Sequence, residues 1–383
     1  RRAIGQRGPF NAAGPWVWRW KDRIDRRFMD QFTALRPMRP ALAPEGAALG
    51  VSTLLSGPAP CAGCGAKLGA DALEAGLGAP SATPRDDVIS APGDDAGLLR
   101  IGGQTQVLST DHLRAFTDDP WLLGKVAAVH ALGDVWAMGA APQVALSSII
   151  LPHMTEAMQT ETLACLTEAA RHVFDAHGAA LIGGHTTQGT ELTVGFTVTG
   201  LSAIRPILLS GAQPGDALIL TKPLGSGTLL AAEMAMRAKG AWIAGLWEAM
   251  LQPQAEASRI LSSARAMTDV TGFGLAGHLL AMLRASGASA TLKLGAIPLL
   301  PGALDLAEAG TRSTLFEANK RRAPLDKETP RANLLQDPQT SGGLLAAVPA
   351  AEAEGCVSRL RSAGYHAAHI GQITQGPPRI TLS

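Results

Sequence analysis

The sequence predicts a mixed α/β protein of two domains set behind a mobile glycine-rich arm. Three observations carry that reading. At 383 residues the chain is too long for one ordinary hydrophobic core. Strand-like and helix-like stretches alternate through two halves of similar size, with a hinge over Pro206–Gly215 between them. Ahead of both halves, Cys61-Ala-Gly-Cys64-Gly-Ala-Lys67 follows a Pro-rich linker and places a soft nucleophile close to a cation. The expected divisions are 1–57 for a basic Trp-rich helix and linker, 58–87 for the arm, 88–205 for the first α/β domain and 206–383 for the second.

Taken in order, residues 1–50 stand apart. Trp16, Trp20, Ile24, Phe28 and Phe32 recur every fourth residue and mark one apolar face of a helix. Arg19, Lys21, Arg23, Arg26 and Arg27 supply its cationic remainder. Such a helix either lies on an anionic membrane or packs on another domain, and packing is the commoner use of a helix stripe. Pro37, Pro40 and Pro44 end it, and a Gly/Ala/Ser/Pro linker runs to Pro60.

In the first half, Ala96–Ile101 and Thr105–Thr110 read as paired strands joined by Gly102-Gly103. Pro120–Met138 reads as a helix whose Val126, His130, Asp134 and Met138 share one face. Val144–Leu151 is apolar and β-branched, a buried strand, and Glu156–His177 is helical. Ala179–Ile182 reads as a short buried strand ending in Gly183-Gly184-His185-Thr186. Leu192, Val194, Phe196 and Val198 alternate as in a half-buried strand. The second half repeats this grammar: strand Ala217–Thr221, then Lys222-Pro-Leu-Gly-Ser-Gly227 opening a helix. Further helices are expected over about 241–266 and 275–286, and strands near 289–294, 343–348 and 367–372.

Bulk properties narrow the function. A net charge of +1 offers no argument for nucleic acid. No apolar run approaches the roughly 20 residues that span a bilayer. Four cysteines without a signal peptide suit a reducing, cytoplasmic setting, and Cys165 and Cys356, among apolar residues, read as inert core. The chain begins Arg-Arg rather than with Met, as expected of a piece of something longer.

The chemistry-bearing residues are few. Cys61 and Cys64 form a lone Cys-x-x-Cys with no second pair to complete a zinc site. Lys67 is not a P-loop lysine, since Gly-x-x-x-x-Gly-Lys-[Ser/Thr] occurs nowhere, so any nucleotide is held differently. Carboxylates recur at Asp94-Asp95 in a turn, Asp111 at a strand end, Asp134 in mid-helix and Asp269 in a turn feeding a helix. Divalent Mg²⁺ is typically held by a few such carboxylates together with nucleotide phosphates. Turn chemistry suffices for Asp94, whereas Asp134 sits among apolar residues, where an unpaired charge is rare. His185 has backbone bonding at a strand end as its blander reading. Gly225-Ser-Gly227 is a weak anion-site candidate at a helix start, and Asp337–Gly343 is a small-residue loop suited to close approach by substrate or another backbone.

Cys64-Gly-Ala-Lys67, Gly93-Asp-Asp95-Ala, Ser-Thr-Asp111, Ala131-Leu-Gly-Asp134-Val-Trp-Ala-Met-Gly139, Gly183-Gly-His185, Thr221-Lys-Pro-Leu-Gly225, Met267-Thr-Asp-Val-Thr-Gly-Phe-Gly-Leu-Ala-Gly-His278 and Asp337-Pro-Gln-Thr-Ser-Gly-Gly343 together resemble the selenide, water dikinases (selenophosphate synthetases), in order, over roughly residues 58–383. The resemblance implies an aminoimidazole ribonucleotide synthetase-like two-domain fold that dimerises through its ATP-binding N-terminal domain. It implies a reaction of ATP, selenide and water giving selenophosphate, AMP and orthophosphate, with K⁺ as an additional cation. It makes Cys64 and Lys67 catalytic, and Asp95, Asp111, Asp134 and Asp269 the carboxylates that hold Mg²⁺ against ATP. Lys67, Asp95, Asp111, Asp134 and Gly183, Gly184, His185 and Thr186 become nucleotide-binding. A selenium-delivery protein is an implied partner. Trp16 to Met29 looks like the tail of a flavin-dependent NADH dehydrogenase-like domain fused ahead of some members. The sequence departs from the family at Ala66, where a second cysteine is common, at Gly93, where Arg is frequent, and at His130, where Asn is common. Thiamine monophosphate kinase and the hydrogenase-maturation dehydratase, on the same fold, are the alternative enzymes; the chain lacks the C-terminal cysteine the latter uses. A non-catalytic nucleotide-binding module is the alternative outside catalysis.

Overall fold

The computed structural model describes residues 3–7, 10–33, 45–46, 48, 50–51, 61–77, 85–89, 93–202 and 205–383. They fall into two compact units. The first contains an antiparallel hairpin, β1 (Ala3–Arg7) and β2 (Phe10–Gly14), with Ala3 opposite Gly14. Helix α1 (Pro15–Thr33) follows directly. Ion pairs at four-residue spacing, Lys21–Asp25 and Arg26–Asp22, support it. Trp16, Trp20, Ile24 and Phe28 of the expected apolar face are exposed while Val17 is buried; the side chain of Phe32 lies outside the described residues, as do Pro37, Pro40 and the linker from Ser52 to Pro60.

The second unit carries the candidate chemistry. The arm forms a short 3₁₀ turn over Cys64–Ala66 and helix α2 (Ala70–Leu77). A five-stranded sheet follows, built from β3 (Gly97–Ile101), β4 (Gln104–Arg114), β5 (Ala141–Pro152), β6 (Ala180–Gly189) and β7 (Thr193–Ser202) in the order β3-β4-β7-β5-β6. Helices α3 (Pro120–Ala137) and α4 (Glu156–Ala176) accompany it. Asp119 caps α3 by accepting from the amides of Trp121 and Leu122, and Pro120 occupies the first turn, where no amide is needed.

Helix α3 is apolar on every side because it is covered on every side. It packs on β4, β7 and α4 and also meets elements of the second half. Leu123, Val126, Val129, Leu132 and Val135 are all essentially buried, each contributing about 1.5–3 kcal/mol of apolar transfer. Its two glycines each cost about 1 kcal/mol of helix propensity relative to Ala, and close approach explains both. A Cβ on Gly124 would lie 2.6 Å from the Leu166 carbonyl of α4. One on Gly133 would lie 2.5 Å from Asp269 Oδ2.

The second half builds a six-stranded sheet from β8 (Ala217–Leu220), β9 (Ala266–Asp269), β10 (Ser289–Leu292), β11 (Leu344–Val348), β12 (Ala368–Thr374) and β13 (Ile380–Leu382), ordered β13-β10-β12-β8-β11-β9. Its helices are α5 (Ser226–Met234), α6 (Gly240–Leu251), α7 (Ala255–Ile260), α8 (Gly274–Ser286), α9 (Ala303–Glu308), α10 (Phe316–Arg322), α11 (Pro330–Asn333) and α12 (Ala353–Ser362). One apolar cluster gathers Leu218, Leu220, Leu279, Leu283, Leu345 and Ile370 on one side of the sheet; another gathers Ile219, Met267, Leu344, Ala346 and Leu360 on the other. That alternation along single strands is the two-residue period of a sheet buried on both faces.

Several sequence expectations need correction. The strand expected to stop at Ile182 continues to Gly189 as an exposed edge, so Gly183–Thr186 lie within it. Asp269 ends strand β9 rather than sitting in a turn. The helix expected over 241–266 breaks at Pro253 into α6 and α7, because proline supplies no amide and crowds the preceding turn. Cys356 is buried, but Cys165 is only partly so.

Candidate active site

Three segments far apart in sequence converge on one nest of acids. Asp95 comes from the turn before β3, Asp134 from buried mid-α3 and Asp269 from the end of β9, and one oxygen of each lies within 4.8 Å of the others. In this crowd, burial and then a neighbouring carboxylate raise all three pKa values well above the ordinary range: Asp134 acts on Asp95, Asp269 on Asp134 and Asp95 on Asp269. Ser109 on β4 donates to Asp134 Oδ2. Thr268 Oγ1 donates to Asp95 Oδ1 at 2.7 Å, while Asp95 Oδ2 is buried without a partner. Clustered carboxylates with an orphaned oxygen are the donor set of a hard divalent cation, so these residues fit Mg²⁺.

The arm docks beside this nest. Gly63 N donates to the Arg114 carbonyl at 3.1 Å. Cys64 N donates to Thr340 Oγ1 and Cys61 N to Thr314 Oγ1, each at 3.0 Å. The glycines make the approach possible: Gly63 has φ +58°, and a Cβ there would stand 2.6 Å from Thr340 Oγ1. A Cβ on Gly65 would stand 2.7 Å from the Cys61 Cβ. Cys64 is fully buried with its Sγ 3.5 Å from His130 Nε2. Burial pushes its thiol up to about 12; nearby Lys67 pulls it down and Asp111 pushes it up by lesser amounts.

Lys67 Nζ donates to Asp111 Oδ1 at 2.7 Å, and His130 Nε2 stands 3.6 Å from the same oxygen. Burial opposes the Lys67 charge, but Cys64 and Asp111 outweigh it and raise the pKa. Burial would raise Asp111, but His130 and Lys67 together hold it below the ordinary range. His130 itself is pushed down to about 4 by burial and stands neutral, with Nδ1 unpartnered. Asp111 is thus paired with the arm lysine and lies outside the group of three acids.

The structure brings together Cys64, Lys67, Asp95, Asp111, Asp134 and Asp269. It places Gly183, Gly184, His185 and Thr186 elsewhere, exposed on β6 opposite Leu146–Ile149 of β5. There a Cβ on Gly184 would fall 2.0 Å from Ser147 Oγ, so this glycine serves strand packing. Asp94 accepts from the Leu209 amide, a bond to a distant segment rather than the local turn chemistry expected of it. The start of α5 is already filled: Gln339 Oε1 accepts from the amides of Gly225 and Ser226, and Asp337 from that of Thr228. The Asp337–Gly343 loop meets backbone rather than open space, since a Cβ on Gly342 would lie 1.8 Å from the Val270 carbonyl. Residues that lie within the quoted motifs but were given no role there complete the site. Ser109, Gly133 and Thr268 touch the acids. Lys222, buried, donates to the Ser341 carbonyl at 2.9 Å, and burial pushes it down to about 7.

Comparison with known proteins agrees with this architecture. The family "AIR synthase related protein, N-terminal domain" matches residues 93–202, and "AIR synthase related protein, C-terminal domain" matches 213–382. The chain is 37% identical over 344 residues to the selenide, water dikinase of Myxococcus xanthus, covering 84% of this chain and 95% of that one. It is 40% identical over 306 residues to that of Bordetella bronchiseptica, covering 76% and 88%. Among solved structures, a protein from Thermus thermophilus superposes with TM-score 0.64 at 23% identity, covering 82% of this chain and 97% of that one. Thiamine-monophosphate kinase from Stenotrophomonas maltophilia superposes with TM-score 0.59 at 22% identity, covering 78% and 92%. These structures share the fold; the sequence relatives go further, and the chain belongs to the selenide, water dikinase family.

Proposed function

We propose that this chain makes selenophosphate from ATP, selenide and water, releasing AMP and orthophosphate. The observation that carries this reading is the docking of Cys64 and Lys67 beside a three-carboxylate nest, in a chain whose curated relatives are selenide, water dikinases. Asp95, Asp134 and Asp269 hold Mg²⁺. The ion, when bound, neutralises charge on the ATP phosphate oxygens.

The protein groups do the remaining work. Lys67 brings a mobile point charge to the transferring phosphoryl, and Asp111 holds its Nζ on the site side of the arm. Cys64 enters as a neutral thiol against His130 Nε2, and its complete burial means that the docked arm keeps bulk water from the reacting atoms. Gly183–Thr186 are assigned to the nucleotide along with Lys67, Asp95, Asp111 and Asp134, and their exposure on an edge strand suits a surface completed by a second copy in a homodimer. Asp111, the partner of Lys67, would be the fourth carboxylate available to the ion beside Asp95, Asp134 and Asp269. K⁺ as a further cation, a selenium-delivery partner and a cytoplasmic setting belong to the same reading, as does an upstream flavoprotein domain packed on the exposed apolar face of α1.

Product identity tests it. With Mg·ATP and selenide under anaerobic conditions, AMP and orthophosphate should accumulate in equal amounts. Stoichiometric ADP formed with thiamine monophosphate, and none of these products with selenide, would overturn the reading in favour of a kinase of the same fold.

A further inference from the structure

His278 lies at the end of a long motif and touches none of the reacting groups, yet it is held on both ring nitrogens. It sits buried on α8. Its Nε2 lies 3.1 Å from the Thr271 amide, and its Nδ1 lies 3.4 Å from Thr268 Oγ1. Thr268, itself fully buried, reaches Asp95 Oδ1.

The backbone amide sets the direction of the ring's contacts. A backbone N–H donates and never accepts, so His278 Nε2 is the acceptor from Thr271. Burial pushes the His278 pKa down to about 3, with Lys67 adding to the effect, so the ring is neutral and its single proton is on Nδ1. An Nδ1–H can only donate, so Thr268 Oγ1 accepts it. The Thr268 hydroxyl proton then has two acceptors in reach, Asp95 Oδ1 at 2.7 Å and the Asp269 carbonyl at 3.1 Å; the shorter contact directs it to Asp95, whose Oδ2 is left buried without a partner.

We propose that His278 is a positioning residue for the divalent-cation site, acting through Thr268 to fix which oxygen Asp95 presents to the ion. The inference rests on the reading of Asp95, Asp134 and Asp269 as metal ligands. It links the two halves of the chain. Asp95 precedes the first sheet, whereas Thr268, Thr271 and His278 belong to the second half, in which Thr268 also adjoins Asp269. A partner that orients a metal-binding carboxylate typically changes metal affinity by about 10–100-fold when removed.

The test is Mn²⁺ binding by the full chain without ATP or selenide, followed by electron paramagnetic resonance, with thermal melting as a check on folding. Thr268→Val and His278→Phe should each weaken Mn²⁺ binding by about tenfold or more. His278→Asn retains an amide N–H near the place of Nδ1 and should recover most of the affinity. Because the chain acts in series, His278→Phe should cost no further affinity in a Thr268→Val background. Additive losses, or wild-type Mn²⁺ affinity in a folded Thr268→Val protein, would overturn the positioning role. If Asp134→Asn also leaves Mn²⁺ binding unchanged, the metal site itself is misassigned, and the positioning role falls with it.

Discussion

Cys64 and Lys67 sit three residues apart on the arm but meet different partners, and the difference sets their expected behaviour. Cys64 faces a neutral histidine with its thiol pushed up to about 12, whereas Lys67 is committed to Asp111. Cys64→Ser and Lys67→Ala should each lower selenophosphate formation by about a hundredfold or more, the scale of losing a group aimed at developing charge. Circular dichroism should stay near wild type, because the arm meets the first sheet only through the isolated bridge of Gly63 to Arg114. Near-normal product formation by both variants would remove them from the chemistry. The three acids make a second prediction. Their raised pKa values mean that the metal-free acids keep protons to higher pH than ordinary carboxylates, and a cation must displace those protons. Mg²⁺ binding should therefore release protons, and affinity should rise with pH until the last proton is gone. Calorimetric titration in two buffers of different ionisation enthalpy reads this directly; identical apparent enthalpies would contradict it. At this scale the residues that the structure gathers, Cys64, Lys67 and the acids, were legible from motif and residue type. Their supports were not. Thr268 meets Asp95 across 173 positions, and no spacing encodes which way a hydroxyl points.

Among the elements, α3 and the arm carry the sharpest consequences. Gly133→Ala should gain about 1 kcal/mol of helix propensity. Its Cβ would press on Asp269 Oδ2 at 2.5 Å, and overpacking of that kind costs about 1–3 kcal/mol. The expected net result is a small loss of thermal stability with a larger loss of Mg²⁺ affinity; unchanged Mg²⁺ affinity would show that Asp269 moves freely. Gly63→Ala combines a left-handed φ with a contact 2.6 Å from Thr340 Oγ1, so it should undock the arm. Turnover should fall while the melting temperature barely changes, and faster limited proteolysis near Cys61 would report the release. Element type was largely readable, as in α3, where a proline start and an acidic cap frame the helix. Strand β9 was missed because four fully buried residues show no alternation. Strand β6 was cut short because Gly183-Gly184 signals a turn, whereas here the missing Cβ makes room for Ser147 of the neighbouring strand.

At the scale of the whole molecule, the candidate site exists only because the two halves meet. Asp134 lies on a helix of the first sheet's layer and Asp269 on a strand of the second sheet, while the arm bridges the Arg114 carbonyl and Thr340. The two-domain plan was visible in the repeated alternation of strands and helices; the burial of α3 from both sides explains why its apolar residues show no single face. A cation that binds only when both halves are in place should raise the melting temperature, with an increment growing as the logarithm of free Mg²⁺ above its dissociation constant. Asp134→Asn should abolish that increment in a melting series. Selenophosphate synthesis is read most directly by phosphorus NMR of the protein with Mg·ATP, K⁺ and isotopically enriched selenide under anaerobic conditions. Selenophosphate synthesis should give a phosphorus signal split by selenium, growing together with AMP and orthophosphate. ATP consumed to ADP with no selenium-coupled signal would contradict it.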